Sequence, residues 1–434
     1  MSPLPKSAPM AASSPAPTPS RRRAIVAASV GNALEWFDWT VYATFAIFFS
    51  SQIFPPGNET AALLAAYGIF AVGFIMRPLG GWIIGVFADR RGRKAALVLS
   101  ILMMSGGSLV IGLSPTFAAV GIAAPVILTL ARLVQGLSLG GLYASATTLL
   151  AEIAPASRRG FYSSFVFFSL AAGILVASAL GWGLTTALTD EAMSTWGWRI
   201  PFILGGVGGL ISLWIRTAVP EPEASPAASG RDVVKRPLHV LLREHPVALL
   251  RIVGFATLTT FAFYIFVPYL PTYAIRAVGA DASVAFAANT VGLIVFMLVQ
   301  PVFGALSDRI GRRPQLIFFA LGYLVLFYPL MSAIRPTFTS ILLLELFGLV
   351  LYAMYSSIAP AIMSEQFPAN VRAVGIGIPY NLTVALLGGF TPYLLTWLQS
   401  IGREQSFFLV VLAGAVVSLV TFVHMPEKVG QPLD

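Results

Sequence analysis

Twelve stretches of mostly apolar residues, most of them near or above the roughly 20 residues that a helix needs to cross a bilayer, constrain this chain more than any other feature. Cut at polar and Gly/Pro breaks, they fall near 24–50, 61–86, 95–113, 122–149, 161–187, 199–217, 248–275, 285–306, 315–334, 338–362, 373–399 and 406–424. They are far longer than a barrel strand and do not alternate, which excludes a β-barrel. Composition agrees: 57% of the 434 residues are hydrophobic and only 10% charged, against about 25% charged in soluble domains. The predicted class is all-α, a polytopic membrane protein. Arg21-Arg22-Arg23 before the first run resembles the start of a signal peptide. That run holds Glu35 and Asp38 and continues to Phe49, too long for a signal segment. It is read as the first membrane helix.

The formal charge of +9 raises the question of nucleic acid until the basic residues are placed. With the N-terminus inside, Arg77 and Arg132 fall within helices, and Arg199, Arg276, Arg335 and Arg403 fall at outer ends. The remaining 21 of 27 basic residues are then cytoplasmic, as the positive-inside rule requires. No nucleic-acid partner is expected. The predicted organisation is a disordered cytoplasmic tail (1–23), a six-helix bundle (24–217), a cytoplasmic linker (218–247), a second six-helix bundle (248–424) and a cytoplasmic C-terminal tail (425–434). Part of the linker (233–244) has the pattern of a basic amphipathic helix on the membrane surface.

The two halves repeat each other. Residues 85–94 read GVFADRRGRK and residues 304–313 read GALSDRIGRR, both fitting G-x-x-x-D-R-x-G-R-[KR]. Glu152, Pro155 and Arg159 recur as Glu365, Pro368 and Arg372. Two motifs at nearly one offset imply duplication of a six-helix unit, and two such units around a central cavity make a transporter architecture. Gly85 and Gly304 are expected to let helices approach closely. Asp89 and Asp308, among Arg90, Arg93, Arg309 and Arg312, are expected to form charge-assisted pairs that latch the inner ends together. Gly92, Gly311, Glu152, Arg159, Glu365 and Arg372 complete that predicted gate.

The repeated loop resembles the signature of the major facilitator superfamily, and Arg132-Leu133-Val134-Gln135-Gly136 is similar to its fourth-helix motif. Within that superfamily the chain resembles the metabolite:proton symporters. The matching stretches are Gly31-Asn32-Ala33-Leu34-Glu35-Trp36-Phe37-Asp38, Met76-Arg77-Pro78-Leu79-Gly80-Gly81, Trp196-Gly197-Trp198-Arg199-Ile200-Pro201-Phe202 and Phe367-Pro368-Ala369-Asn370-Val371-Arg372. The stretch from Val295 to Asp308 and Pro56-Gly57-Asn58-Glu59-Thr60 resemble the 2-oxoglutarate permeases among them. The resemblance implies a twelve-helix major facilitator fold with helices 1 and 4 lining the cavity. One departure stands out: the family pattern Gly-Gly-Glu reads Gly140-Gly141-Leu142 here, so a membrane carboxylate expected from the family is missing.

Ionisable groups in hydrocarbon are costly and mark function by default. Glu35 and Asp38 sit three apart on helix 1, sharing a face to within roughly 60°. Arg132 lies near mid-depth of helix 4, so Asp38, with Glu35 as alternative, is expected to pair with it and release a proton when an anion competes for the arginine. A static pair fixing helix packing is the other reading. Glu345 is a further proton site, a partner of Arg335 or Arg276, or a residue with a packing role. Arg77 fits a substrate contact, a gate or a snorkelling structural arginine. Arg77, Arg132, Tyr42, Tyr264 and Asn381 are the substrate-binding candidates. For the aromatic cluster of helix 7, cavity and lipid-facing positions remain open, and Pro268 and Pro271 there allow bending.

With no cysteine and three scattered histidines, no metal or cofactor site is expected. No P-loop or nucleophile elbow is present, which argues against an ATP-driven pump and against an enzyme. The predicted function is proton-coupled uptake of a small organic anion by a monomer in a bacterial inner membrane, both termini cytoplasmic. A proton-coupled exporter and a non-transporting sensor on the same scaffold are the alternatives.

Overall fold

The computed structural model describes residues 21–138, 154–218, 237–369, 371–431 and 433. Among these, every regular element is helical. Twelve long helices follow one another: α1 (Arg21–Ile53), α2 (Glu59–Arg91), α3 (Arg93–Gly112), α4 (Ala123–Ser138), α5 (Arg159–Ala187), α6 (Arg199–Ala218), α7 (Pro246–Val278), α8 (Ala282–Ile310), α9 (Arg312–Ser332), α10 (Phe338–Glu365), α11 (Val374–Ser400) and α12 (Glu404–Val423). Nine of the helices found among the described residues are long and apolar enough to span a bilayer. Short loops force neighbours to run antiparallel. Arg21, the α2–α3 and α8–α9 turns and the C-terminal residues therefore share one end, called here the tail side. The opposite end is the far side.

Hydrocarbon offers no hydrogen bonds, so backbone groups are satisfied within helices. The breaks in that pattern are local. α7 and α11 each contain a five-residue π turn, Ile265–Tyr269 and Val384–Gly388, which sequence periodicity did not reveal. Pro268 sits in the first of these, where its missing N–H disturbs the i→i−4 ladder. The aromatic cluster of α7 faces inward: Phe261, Phe263, Tyr264, Phe266 and Tyr269 are all buried. Of the linker's expected amphipathic helix, the described part is helical at Pro237–Glu244. Arg199 anchors α6 to the end of α3 by donating to the carbonyls of Gly112 (3.1 Å) and Ser114 (2.6 Å).

The duplication is visible in backbone geometry. Gly92 and Gly311 occupy matching positions between paired helices, with φ of 90° and 92°, a region that only glycine enters at low cost. The other repeated glycine behaves differently in its two copies. At Gly304 a Cβ would lie 2.6 Å from the Gly160 carbonyl oxygen of α5, whereas at Gly85 it would meet nothing within 4 Å. Among the described residues the close approach expected of both is made at Gly304, where α8 packs along α5, and not at Gly85.

Gly304→Ala should lower the thermal midpoint of the purified protein by several degrees, since backbone cannot yield as a side chain can. Gly85→Ala should leave it unchanged or slightly raised through its better helix propensity. Differential scanning fluorimetry in detergent micelles checks both, and equal effects would contradict the asymmetry.

Candidate functional site

Three groups of polar side chains interrupt the apolar interior. The first ties the tail side together. Glu365, at the end of α10, forms ion pairs through Oε1 with Arg159 of α5 (2.8 Å) and Arg312 of α9 (2.9 Å), all three buried. Asp308 accepts from the backbone N–H groups of Gly160 (2.8 Å) and Phe161 (2.9 Å). The pairing expected between Asp308 and neighbouring arginines is therefore corrected. Its carboxylate caps the N-terminus of α5, where unsatisfied N–H groups and the helix dipole favour an anion. Residues after α12 reinforce the tie. Arg159 donates to the Gln431 carbonyl (3.2 Å), Lys428 to the Glu365 carbonyl (2.9 Å), and Glu427 accepts from the N–H groups of Arg312 and Arg313 (3.0 and 2.9 Å). Arg90 and Arg309 are exposed, outside this tie. Arg372 is buried and donates to the Phe367 carbonyl (3.1 Å). Glu152, Leu142 and the side chains of Asp89 and Arg93 lie outside the described residues.

The second group surrounds Trp39 at mid-depth. Its indole ring lies under two guanidinium groups, Arg132 at 4.2 Å and Arg77 at 4.4 Å from the ring centroid. Arg132 is covered on another side by Tyr42 (4.1 Å) and Arg77 by Phe74 (4.1 Å). Such contacts partly replace water around a buried cation. Arg132 donates from Nη1 to Gln135 (2.9 Å), and Gln135 donates to Ser108 (2.9 Å). The ion pair expected between Asp38 and Arg132 does not form. The aromatic rings and Gln135 hold the guanidinium, while the Asp38 carboxyl turns to α6. There its Oδ1 packs against Gly205, where a Cβ would collide with it, and finds no hydrogen-bond partner. Tyr42 is fully buried, and its hydroxyl donates to the Ala66 carbonyl (2.9 Å). Its place is in the packing around Arg132.

A cavity of about 40 Å³ opens beside this group, lined among others by Glu35, Arg77, Tyr264, Tyr380 and Asn381. The structure thus brings Glu35, Arg77, Tyr264 and Asn381 to one place and keeps Asp38, Arg132 and Tyr42 in the buried layer next to it. Several buried donors here lack an acceptor: Nε of Arg77, Nε and Nη2 of Arg132, Nε1 of Trp39 and the Tyr264 hydroxyl. Trp39 and Gln135 were missed by sequence reasoning. Their adjacency to Asp38 and one turn from Arg132 was the available signal.

The third group lies toward the far side. Glu345 of α10 meets neither Arg335 nor Arg276. Arg335 is exposed and Arg276 donates to Thr60 (2.8 Å). Instead Asn289 of α8 donates to Glu345, and Ser178 of α5 donates to Asn289 (2.6 Å). Tyr67 and Thr272 add a further hydrogen bond (3.2 Å) between the first six helices and the last six. Contacts between the two sets of helices therefore exist on both sides of the cavity.

Long apolar helices closed at both ends around a small polar cavity with buried cations define a membrane transporter. The pattern of the Major Facilitator Superfamily matches residues 28–392, and the chain belongs to that family. It is a multi-pass secondary transporter and not an enzyme. It is 40% identical to the alpha-ketoglutarate permease of Escherichia coli, over 94% of this chain and 95% of that protein. It is 32% identical to a proline/betaine transporter of Salmonella typhimurium (95% and 85% covered) and 33% to a citrate-proton symporter of Klebsiella pneumoniae (87% and 85%). A solved D-xylose-proton symporter has the same fold, with a TM-score of 0.74 at 21% identity, covering 94% of this chain and 99% of that one.

Asp308→Asn leaves one acceptor for two N–H groups. It should destabilise the protein by about 1–3 kcal/mol, the cost of one stranded buried donor, read as a lower thermal midpoint. The exposed Arg309→Gln should leave the midpoint within error.

Proposed function

We propose that this chain carries a small organic anion, a dicarboxylate or 2-oxo acid such as 2-oxoglutarate, together with protons across a bacterial inner membrane. The observation that carries this reading is the set of donors around Trp39. Each buried N–H or O–H without an acceptor costs about 1–3 kcal/mol, and five such atoms on four side chains point toward one shared function. A carboxylate supplies several lone pairs at once, and guanidinium groups recognise it through parallel N–H bonds. The relatives named for alpha-ketoglutarate and citrate support the same class. The relative named for proline and betaine fits less well. A quaternary ammonium seeks free aromatic faces, and here the chain's own arginines lie over those of Trp39, Tyr42 and Phe74.

In this reading Arg77 and Arg132 hold the substrate, with Trp39 and Tyr264 as orienting donors and Asn381 across the cavity. Asp38, with Glu35, exchanges the proton. The arginine distribution supports a cytoplasmic tail side, with both termini inside. Helices α1–α6 and α7–α12 rock as two domains around the site, working within one monomer. The Glu365 and Asp308 contacts close the inner end and break when it opens. A cavity of about 40 Å³ has room for little more than a water molecule, so the substrate binds when one end opens.

Purified protein in liposomes should accumulate labelled 2-oxoglutarate under an inward proton gradient and lose that accumulation when the gradient is collapsed. No uptake, beside an active control permease in the same preparation, would remove this substrate. Asp38→Asn should retain counterflow exchange of substrate but lose gradient-driven accumulation by about tenfold or more. Normal accumulation in that variant would take Asp38 out of the coupling step.

A further inference from the structure

Glu345 sits about two turns into α10 from the far side and is wholly buried. Its environment is unlike that of any acid on the tail side. One carboxyl oxygen accepts from Asn289, and the other has no hydrogen-bond partner. From α8 it meets Asn289 and Gly292, where a Cβ would overlap its side chain. From α9 the titratable neighbour is Tyr323, whose hydroxyl is committed to the Gly348 carbonyl (2.9 Å). From α7 the carbonyls of Phe266 and Val267, at the π turn, face the Asn289 amide (3.3 and 3.4 Å). No lysine or arginine from these elements forms an ion pair with it among the described residues.

The Asn289 amide has two sides. Its NH₂ is fixed by Glu345 and the α7 carbonyls, which turns its oxygen toward Ser178 of α5 (2.6 Å). Ser178 also bonds Thr290 (2.9 Å). A protonated carboxyl can stay in this dry layer at the cost of one unsatisfied hydroxyl. An ionised one would leave a charge facing apolar side chains, a far larger cost. Water can relieve it only if α5 and α8 separate. Ionisation and closure of the far side are therefore opposed, which is a linkage between proton binding and conformation.

We propose that Glu345 is a second proton-binding site that controls the far-side gate: the neutral acid aligns Asn289 with Ser178 and holds the gate shut, and loss of the proton releases it. The inference rests on proton coupling as proposed above, but not on the identity of the substrate.

The chain has no cysteine, so one introduced thiol reports one position. Phe48 of α1 is buried, 6.0 Å from the ring of Phe286 of α8, and Phe48→Cys should be shielded when the far side is closed. The experiment uses the full-length protein in right-side-out vesicles without substrate. Its labelling rate by a membrane-impermeant maleimide is divided by that of the exposed Ile401→Cys, which removes the thiol's own pH dependence. The ratio should rise about tenfold from acidic to alkaline external pH, the response of a gate shifted by proton loss. In the Glu345→Gln background it should stay low at both, and in Ser178→Ala it should be high at both. A wild-type pH response in either background overturns the proposal, and so does a ratio that never changes with pH. If Asp38→Asn abolishes the response while Glu345→Gln preserves it, proton coupling stands and this gate does not.

Discussion

A polar group placed in hydrocarbon must find its partner inside the protein, because neither lipid nor bulk water will supply one. That constraint shapes every helix contact described above. Where the chain carries charge through the membrane interior, it surrounds the charge with rings, amides or an opposite charge. Where it cannot complete the set, the remaining valence points to a function. Each of the three polar groups keeps some atoms without a partner. In the tail-side tie Glu365 serves two arginines and Asp308 two backbone N–H groups, while Nε of Arg159 and three nitrogens of Arg312 have no hydrogen-bond partner. The central group keeps five unfilled donor atoms and the Asp38 oxygen. The far-side group keeps a carboxyl oxygen of Glu345.

The tail-side tie joins α5, α9 and α10 through buried ion pairs. Salt bridges buried this way gain little net stability, yet removing one partner is costly, which makes them good switches between two discrete arrangements. The unsaturated centre is where a ligand can add interaction energy. Ligand binding shifts a conformational equilibrium only through such differential contacts.

The helices, their number and their order were legible in the sequence because a membrane segment needs only length and apolarity. The acids and arginines of the tail-side tie stood out because duplication printed them twice. Their partners did not. Asp308 reads as an acid among arginines, yet the N-terminus of α5, far away in sequence, outcompetes the adjacent guanidinium groups. Arg132 and Asp38 are picked out by their depth, but depth cannot say which way a side chain turns. Trp39 and Gln135 claim the arginine, and Gly205 makes room for the acid. Asn289 was overlooked because a single amide in an apolar run carries no period, and only the tertiary approach of α5 and α10 gives it meaning.

The two copies of the loop motif began as one device, and the structure has made them unequal. Gly304 is pinned by the backbone of α5, while Gly85 borders open space. Steric packing among the described residues therefore constrains this position at Gly304 and not at Gly85. A side chain added at the first copy would meet no described neighbour in this conformation, so the duplicated position has room to vary there that its counterpart lacks.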